Sequence, residues 1–191
     1  MLNIVKKQAL DDYTDKELLE KFRDVETQHY AFNLLVKKYS KRVYWHVRKI
    51  VIDHDDTNDV VQNTFIKVWK NLADFREDSQ LFTWLYRIAT NEALSFLKQK
   101  KTKFLVPFGD VEYELSNSLT TDSNFSGDKI QLKLQRAILT LPEKQRLVFN
   151  MKYFDDLKYE EIAEILNLTV GGLKASYHHA VKKIEKYLEE N

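Results

Sequence analysis

Apolar residues recur every three or four positions along most of this 191-residue chain, and polar residues fill the positions between them. That period places the apolar side chains on one face of a helix. The predicted helices cover about residues 14–23, 28–51, 56–72, 82–100, 128–139, 142–153, 158–166 and 170–189. Only four Gly and two Pro interrupt the chain, so the pattern predicts an all-α fold.

The helical period stops at residues 104–127. This segment is rich in Ser, Thr and Asn and has no Lys or Arg, while its acidic residues are Asp110, Glu112, Glu114 and Asp122. We therefore expect a flexible acidic linker at 104–127 between two helical domains, residues 1–103 and residues 128–191. A solvated tether and a segment that docks through its few aromatic side chains both fit this composition.

The formal net charge is only +1, but the charges are unevenly distributed. Residues 1–103 hold 19 Lys and Arg against 15 Asp and Glu, which leaves +4, and residues 128–191 hold 11 against 10, which leaves +1. Nucleic-acid affinity depends on local basic surface, so the small total does not exclude DNA binding. The chain has no cysteine, no apolar core of a signal peptide and no apolar run of membrane-spanning length. We therefore expect a cytoplasmic protein without disulfides.

The connection between the last two predicted helices, residues 166–169, is short and contains an apolar anchor. Such a connection is typical of a helix-turn-helix, whose second helix enters the major groove of DNA. Thr169 can cap that helix, and Leu173, Tyr177 and Ile184 are expected to face inward. An ordinary amphipathic helix with a solvated polar face would show the same spacing, so the spacing by itself leaves both interpretations open.

Two further polar faces occur in the first half of the chain. The helix at 56–72 carries a group of acidic and amide side chains opposite its apolar stripe. The helix at 82–100 carries a polar stripe at spacings of four, four and three, formed by Arg87, Asn91, Ser95 and Lys98, and its end is basic. A solvated surface is the usual explanation of such faces, although a basic groove with aromatic neighbours also suits unpaired nucleic acid.

Two sequence blocks, taken together, resemble the sigma factors of bacterial RNA polymerase. The run Asp59–Phe65, followed by Phe82–Ala89, is similar to region two of these proteins. The runs Leu141–Arg146, Tyr159–Leu166 and Val170–Lys183 are similar to region four. Because no intermediate domain separates the blocks, the resemblance is to the extracytoplasmic-function (ECF) branch of the sigma-70 family. It implies a non-enzymatic subunit that directs promoter-specific transcription initiation.

The resemblance also implies site residues. The polymerase-binding face would comprise Asp56, Asp59, Gln62 and Asn63. The surface that recognises and melts the minus-ten promoter element would comprise Arg76, Ser79, Thr83, Arg87, Asn91, Ser95, Lys98 and Lys101. The surface that recognises the minus-thirty-five element would comprise Thr169, Gly171, Lys174, Ser176, His178, His179 and Lys182.

The partners implied by the resemblance are core RNA polymerase, through its largest-subunit coiled coil and its flap, together with promoter DNA and an anti-sigma factor. Where an anti-sigma factor is membrane-bound, it would hold this cytoplasmic protein at the membrane without insertion. Several positions depart from the family pattern. Asn63 stands where Glu is usual, Lys158 where Ser or Thr caps a helix, and Ser176 and His179 where Arg is common. Gly172 is a second glycine at the start of the last helix.

Two other classes of protein share some of these features. A metal hydrolase would need ligands, and the run Asp53–Asp56 and the pair His178–His179 have suitable residue types. Adjacent residues of a helix point apart, and no second cluster completes such a site, so we expect no metal and no cofactor. A two-domain helix-turn-helix regulator would normally carry an α/β N-terminal domain, whereas this N-terminal half has a helical pattern throughout.

Overall fold

The computed structural model describes residues 13–104 and 129–191, and the side chains of 101–104 and 129 lie outside the described part. These two ranges contain eight α-helices and no strand, which confirms the predicted all-α fold. The helices are α1 (Asp15–Arg23), α2 (Gln28–Val51), α3 (His54–Asn71), α4 (Leu81–Phe104), α5 (Lys129–Leu139), α6 (Glu143–Tyr153), α7 (Tyr159–Leu166) and α8 (Val170–Glu190), and a short 3₁₀ turn follows α3 at Leu72–Asp74. The predicted linker at 104–127 falls almost entirely outside the described residues.

The starts of α1 and α3 follow from side chains that cap them. The Thr14 hydroxyl accepts a hydrogen bond from the backbone N–H of Glu17 at 3.3 Å, and the Glu17 carboxylate accepts one from the backbone N–H of Thr14 at 2.7 Å. This reciprocal pair satisfies two amides that the first turn leaves open. Asp53 accepts from the N–H groups of Asp55 and Asp56, both at 3.0 Å, so α3 begins at His54, two residues earlier than predicted.

The N-terminal domain packs α1, α2, α3 and α4 around one apolar core. Val43, Val47, Val68, Leu85 and Ala89 are completely buried in it. These residues lie at helical spacing within their own helices, as the sequence period requires. The two long helices α2 and α4, each of 24 residues, contact each other and both contact α3.

In the C-terminal domain, α6, α7 and α8 form the predicted helix-turn-helix with its preceding helix. Pro142 immediately precedes α6 instead of opening its first turn, since its ψ of 143° is extended, and this corrects the predicted start. The turn between α7 and α8 begins at Asn167, whose φ of 53° is left-handed. A non-glycine residue adopts that conformation most readily when it is Asn or Asp.

The two domains pack against each other through α4 with α7 and α2 with α6. Their buried residues form one continuous apolar cluster, which includes Leu85 and Leu97 of α4 and Ile162 and Ile165 of α7. A second cluster belongs to the C-terminal domain alone and contains Ala137, Ile138, Leu141, Phe149, Ala180 and Ile184. Among the described residues, no helix has both the length and the apolar character needed to cross a bilayer.

Candidate nucleic-acid interface

The N-terminus of α8 is fixed by Thr169. Its hydroxyl accepts a hydrogen bond from the backbone N–H of Gly172 at 3.2 Å, and Leu173, one residue further on, is fully buried. A Cβ atom at Gly172 would lie 3.2 Å from that same hydroxyl oxygen, whereas a Cβ at Gly171 would meet nothing within 4 Å. The absence of a side chain at Gly172 therefore leaves space for the capping hydroxyl of Thr169, which the sequence pattern alone did not show.

The outer face of α8 carries most of the side chains assigned to the minus-thirty-five element. Thr169, Gly171, Lys174, His178, His179 and Lys182 are exposed, and Ser176 is half-buried. The Lys174 ammonium lies 5.8 Å from the centre of the Tyr159 ring, a contact that steadies the side chain beside the turn. This face presents two lysines and two histidines around a helix N-terminus, where backbone amides favour a phosphate.

The departure at Lys158 is compensated within α7. The Lys158 side chain makes no capping hydrogen bond, but its backbone N–H donates to the Glu161 carboxylate at 2.7 Å. Acidic side chains in a first turn also interact favourably with the helix dipole, and α7 has Glu160 and Glu161 there. The helix therefore starts at the expected place without a Ser or Thr cap.

The segment before α4 forms an open recess of about 190 Å³. Its lining combines two guanidinium groups, two carboxylates and two aromatic rings, from Asp74, Phe75, Arg76, Asp78, Ser79, Trp84 and Arg87. The centres of the Phe75 and Trp84 rings lie 5.0 Å apart, and the two ring planes meet at an angle of 40°. Phe75 is buried and Trp84 is half-buried, so Trp84 both packs on the core and borders the recess. An aromatic wall beside cationic groups suits an unstacked base.

Four minus-ten candidates in or near the recess lie in different environments. Arg76 and Arg87 are exposed and Ser79 is half-buried, but Thr83 is only 3% exposed and faces the core. Tyr86, another aromatic residue of α4, is also buried, and its hydroxyl donates to the backbone oxygen of Arg42 at 3.3 Å. In this conformation neither Thr83 nor Tyr86 reaches the surface.

The polar stripe of α4 lies on the surface as predicted from its spacing, since Arg87, Asn91, Ser95 and Lys98 are exposed. Its far end is shared with the C-terminal domain. Ser95 and Lys98 line a recess of about 260 Å³ together with Leu94 and with Glu143 at the start of α6. The side chain of Lys101, the last candidate of this stripe, lies outside the described residues.

The polar face of α3 is largely accessible. Asp59, Gln62 and Asn63 are exposed, whereas Asp56 is half-buried and accepts a hydrogen bond from the Lys100 ammonium at 2.6 Å. Asp56 therefore ties α3 to α4. The acidic run Asp53–Asp56 serves as a helix start, and within 13–104 and 129–191 no group of three His, Asp or Glu side chains is arranged to hold a metal ion.

Sequence reasoning missed a polar cluster between the domains. Asp155, just after α6, contacts His46 and Lys49 of α2. Burial acts to raise the pKa of the Asp155 carboxyl, but the hydrogen bond and positive charge of His46 and the charge of Lys49 outweigh it, so that pKa lies below its usual value. The signal available in the sequence was a histidine inside the apolar stripe of α2, between Val43 and Val47.

Comparison with known proteins decides the family. The sequence model of Sigma-70 region 2 matches residues 35–103, and that of Sigma-70, region 4 matches residues 131–184. The chain is 33% identical over 189 residues to the ECF RNA polymerase sigma-E factor of Escherichia coli strain K12, covering 94% of this chain and 96% of that protein. This chain belongs to the sigma-70 family. It is also 30% identical over 185 residues to the RNA polymerase sigma-H factor of Pseudomonas aeruginosa, covering 92% of this chain and 94% of that protein.

Two solved structures share the fold. CnrH, in complex with the cytosolic domain of CnrY, matches with a TM-score of 0.69 and 22% identity over 93% of this chain and 98% of that chain. RpoE from Bartonella quintana, in complex with the anti-sigma factor NepR, matches with a TM-score of 0.64 and 20% identity over 83% of this chain and 96% of that chain. In this sigma factor, α1–α4 are called the region 2 domain below, and α5–α8 the region 4 domain.

Proposed function

We propose that this ECF sigma factor binds bacterial core RNA polymerase and directs it to promoters, where α8 reads the minus-thirty-five element and the region 2 domain captures the melted minus-ten strand. The observation that carries the proposal is the presence of two differently built polar surfaces on one chain. One is a helix-turn-helix suited to duplex DNA, and the other is an aromatic and cationic recess suited to an unpaired base. A regulator that binds only duplex DNA needs the first surface alone.

At the minus-thirty-five element, α8 would lie in the major groove with its N-terminus toward the DNA. The exposed Lys174 and Lys182 would donate to phosphates or guanine edges, and His178 and His179 would add contacts of lower charge. Gly171 and the Thr169 cap leave amides accessible for one phosphate. Because Ser176 and His179 replace the arginines common in the family, we expect a base preference that differs from the usual one.

At the minus-ten element, the recess beside α4 would receive a flipped base against Trp84, with Arg76 and Arg87 near the backbone phosphates and Ser79 at the base edge. Asn91, Ser95 and Lys98, and Lys101 beyond them, would continue the path of the strand along α4. Thr83, being buried, would support the recess from behind. This sigma factor would perform no catalysis, since the polymerase carries out the chemistry.

The exposed Asp59, Gln62 and Asn63 would dock on the coiled coil of the largest polymerase subunit, with Asp56 holding α3 in place through Lys100, and the region 4 domain would meet the polymerase flap. The work of a sigma factor takes place where polymerase and promoter DNA are, which is the cytoplasm. We also propose an anti-sigma factor as a regulatory partner, by analogy with the complex of RpoE and the anti-sigma factor NepR.

The decisive experiment is transcription in vitro by core polymerase on genomic fragments, with and without this protein. Discrete start sites that depend on the protein support the proposal. Sequence-specific binding of duplex DNA by the protein alone, without any initiation, would favour the helix-turn-helix regulator.

Two pairs of variants assign the surfaces. Lys174→Ala should reduce transcription at least severalfold, and less at a promoter whose minus-thirty-five element is altered, while Lys186→Ala near the far end of α8 should have no effect. Asp59→Ala with Gln62→Ala should weaken polymerase affinity. The matched pair Glu20→Ala with Asn33→Ala removes one exposed acid and one exposed amide elsewhere on the same domain. Equal affinities for the two double variants would place the dock elsewhere.

A further inference from the structure

The contact between the two domains contains a buried ionic cluster centred on Asp155. The carboxylate of Asp155 is only 6% exposed. One of its oxygens lies 3.0 Å from Nδ1 of His46, and the other accepts a hydrogen bond from the Lys49 ammonium. Both partners belong to α2 of the region 2 domain, whereas Asp155 follows α6 of the region 4 domain. One residue of the region 4 domain therefore holds two groups of the region 2 domain.

Both ring nitrogens of the histidine in this cluster lie within hydrogen-bond distance of a polar side chain. His46 is 1% exposed, and its Nε2 lies 2.9 Å from the hydroxyl oxygen of Thr90 on α4. The Thr90 hydroxyl also donates to the backbone oxygen of Tyr86 at 2.7 Å, and both ring nitrogens of His46 have a polar partner. A further cross-domain hydrogen bond runs from the Asn150 side-chain amide to the backbone oxygen of Lys49 at 3.3 Å. The polar contacts thus fix the position of α6 on α2.

The packing of the region 4 domain on the region 2 domain is a closed arrangement of the protein. A sigma factor in this closed arrangement is too small to contact both promoter elements at once. By their names the two elements lie about 25 base pairs apart, which is about 85 Å of B-form DNA at about 3.4 Å per base pair. A compact chain of 191 residues has a radius of gyration of about 16 Å and a diameter of about 40 Å. The region 4 domain must therefore leave the region 2 domain before α8 and the recess beside α4 can bind one promoter together.

The closed arrangement also places a negative charge at the minus-ten surface. Glu143 of α6 lines the same recess as Ser95 and Lys98 of α4. A carboxylate at this position repels a phosphate backbone that approaches Lys98. Opening the domains would remove Glu143 and leave the basic end of α4 to the DNA strand.

We propose that the packing of the region 4 domain on the region 2 domain is an autoinhibitory closure, that Asp155 is its latch through His46 and Lys49, and that polymerase and promoter bind the open form. This inference rests on the proposed function, because the open form is the one that transcription requires. Removing the latch should raise the open population. If the closed form predominates, the apparent affinity for polymerase rises by the same factor as that population.

The absence of cysteine from the chain makes a direct distance measurement practical. Lys37→Cys on α2 and Glu185→Cys on α8 replace exposed residues, one in each domain, and accept a pair of spin labels or fluorophores. We expect a single short distance in the otherwise unchanged protein. Asp155→Asn should add a population at longer distance and raise the ratio of open to closed molecules about tenfold or more, the effect of losing one buried charge-assisted contact.

The matched control is the adjacent residue. Asp156 is exposed and has a left-handed φ of 51°, which Asn adopts at least as readily as Asp, so Asp156→Asn removes the same charge without touching the latch. Its distance distribution should equal that of the parent protein. Lys49→Gln provides a second way to weaken the latch, and it should shift the population in the same direction as Asp155→Asn. Far-UV circular dichroism checks that every variant keeps its helices.

Transcription at limiting sigma factor then tests the inhibitory role. Asp155→Asn should increase initiation by core polymerase in proportion to the gain in open molecules, and Asp156→Asn should not. An open distance already dominant in the parent protein, or no shift with either Asp155→Asn or Lys49→Gln, overturns the latch. A longer distance without greater initiation overturns autoinhibition. If no version of the protein initiates transcription, although the distances change, the proposed function has failed instead.

Discussion

The region 2 and region 4 domains bury their apolar residues in different ways. The region 2 domain packs its four helices, two of them 24 residues long, around a core of its own residues. The region 4 domain has helices of 8 to 21 residues and divides its buried residues between two clusters. One cluster is its own, and the other is continuous with the core of the region 2 domain. The region 4 domain therefore buries part of its apolar surface against the region 2 domain. Its stability consequently depends on where it sits relative to the region 2 domain.

The largest expected effects come from truncating one buried side chain in each domain. Leu85→Ala on α4 and Ile138→Ala on α5, at positions 0% and 2% exposed, should each lower the free energy of unfolding by about 2–5 kcal/mol. All three tryptophans, Trp45, Trp69 and Trp84, lie in the region 2 domain. Tryptophan fluorescence therefore reports on the unfolding of the region 2 domain, whereas circular dichroism reports on the unfolding of both domains.

For Leu85→Ala we expect the fluorescence and circular-dichroism transitions to shift together. For Ile138→Ala we expect the circular-dichroism transition to begin earlier while the fluorescence transition shifts less. The exposed Ile66→Ala on α3 is the control and should change stability by less than about 1 kcal/mol. Equal shifts of both signals for Ile138→Ala would mean that the domains unfold as one unit and that the comparison between them is wrong.

A smaller effect is expected at the contact between the domains. Thr90→Val removes the hydroxyl that pairs with His46 Nε2 and should cost about 1–3 kcal/mol, because a buried ring nitrogen loses its partner. Thr64→Val is the matched control, since Thr64 is equally buried and also donates to the backbone oxygen four residues earlier. It should cost less than about 1 kcal/mol. Similar losses for the two variants, measured by urea unfolding, would show that Thr90 contributes nothing special to the contact.

A gain in stability is expected within the region 4 domain. Gly171→Ala should stabilise α8 by up to about 1 kcal/mol, because alanine restricts the unfolded chain and its Cβ would point into open space. Gly172→Ala should gain less or lose stability, since its Cβ would lie 3.2 Å from the Thr169 hydroxyl oxygen. Thermal melting of the two variants side by side provides the measurement. A larger gain at 172 than at 171 would contradict the role assigned to the cap.

The smallest expected effect is the pH dependence of the stability that the Asp155 carboxylate contributes. The groups that face Asp155 are His46, Lys49, Tyr86 and Arg42, and the pKa of its carboxyl lies below the usual value. The contribution of a carboxylate with a lowered pKa is complete above its unfolded pKa and disappears as the pH falls through its folded pKa. The stability difference between the parent protein and Asp155→Asn should therefore narrow as the pH falls below about 4. If the difference widened below about pH 4, the pKa of the Asp155 carboxyl would be raised by folding and not lowered.

The sequence predicted the helices well because their signals are local. Thr14 with Glu17 marks the start of α1, and the apolar stripe of α2 reproduces its observed bounds, Gln28–Val51. Errors occurred at helix starts where several residues compete for the cap. Helix α3 starts two residues before its predicted start, because the Asp53 carboxylate accepts hydrogen bonds from two backbone amides. Helix α6 starts one residue after its predicted start, because the backbone of Pro142 is extended.

The candidate site was predictable in part. The exposed stripe of α4 and the outer face of α8 follow from helical spacing, and the family resemblance supplied their roles. Burial of individual residues did not follow, since Thr83 lies on α4 like the exposed Arg87 and Asn91 but is itself buried. The recess beside Trp84 was equally beyond the pattern, because it depends on how the segment at 74–79 folds back on α4.

The sequence by itself determined the helices, the domain types and the family, because periodicity, caps and motif order are properties of neighbouring residues. Only the tertiary structure decided that Asp155 meets His46 across 109 positions of the chain, and that Glu143 lies beside Lys98. Contacts between residues so far apart depend on the relative placement of packed helices, and no local pattern encodes that placement. The same physics explains why the family could be named from the sequence, whereas a latch between its two domains could not.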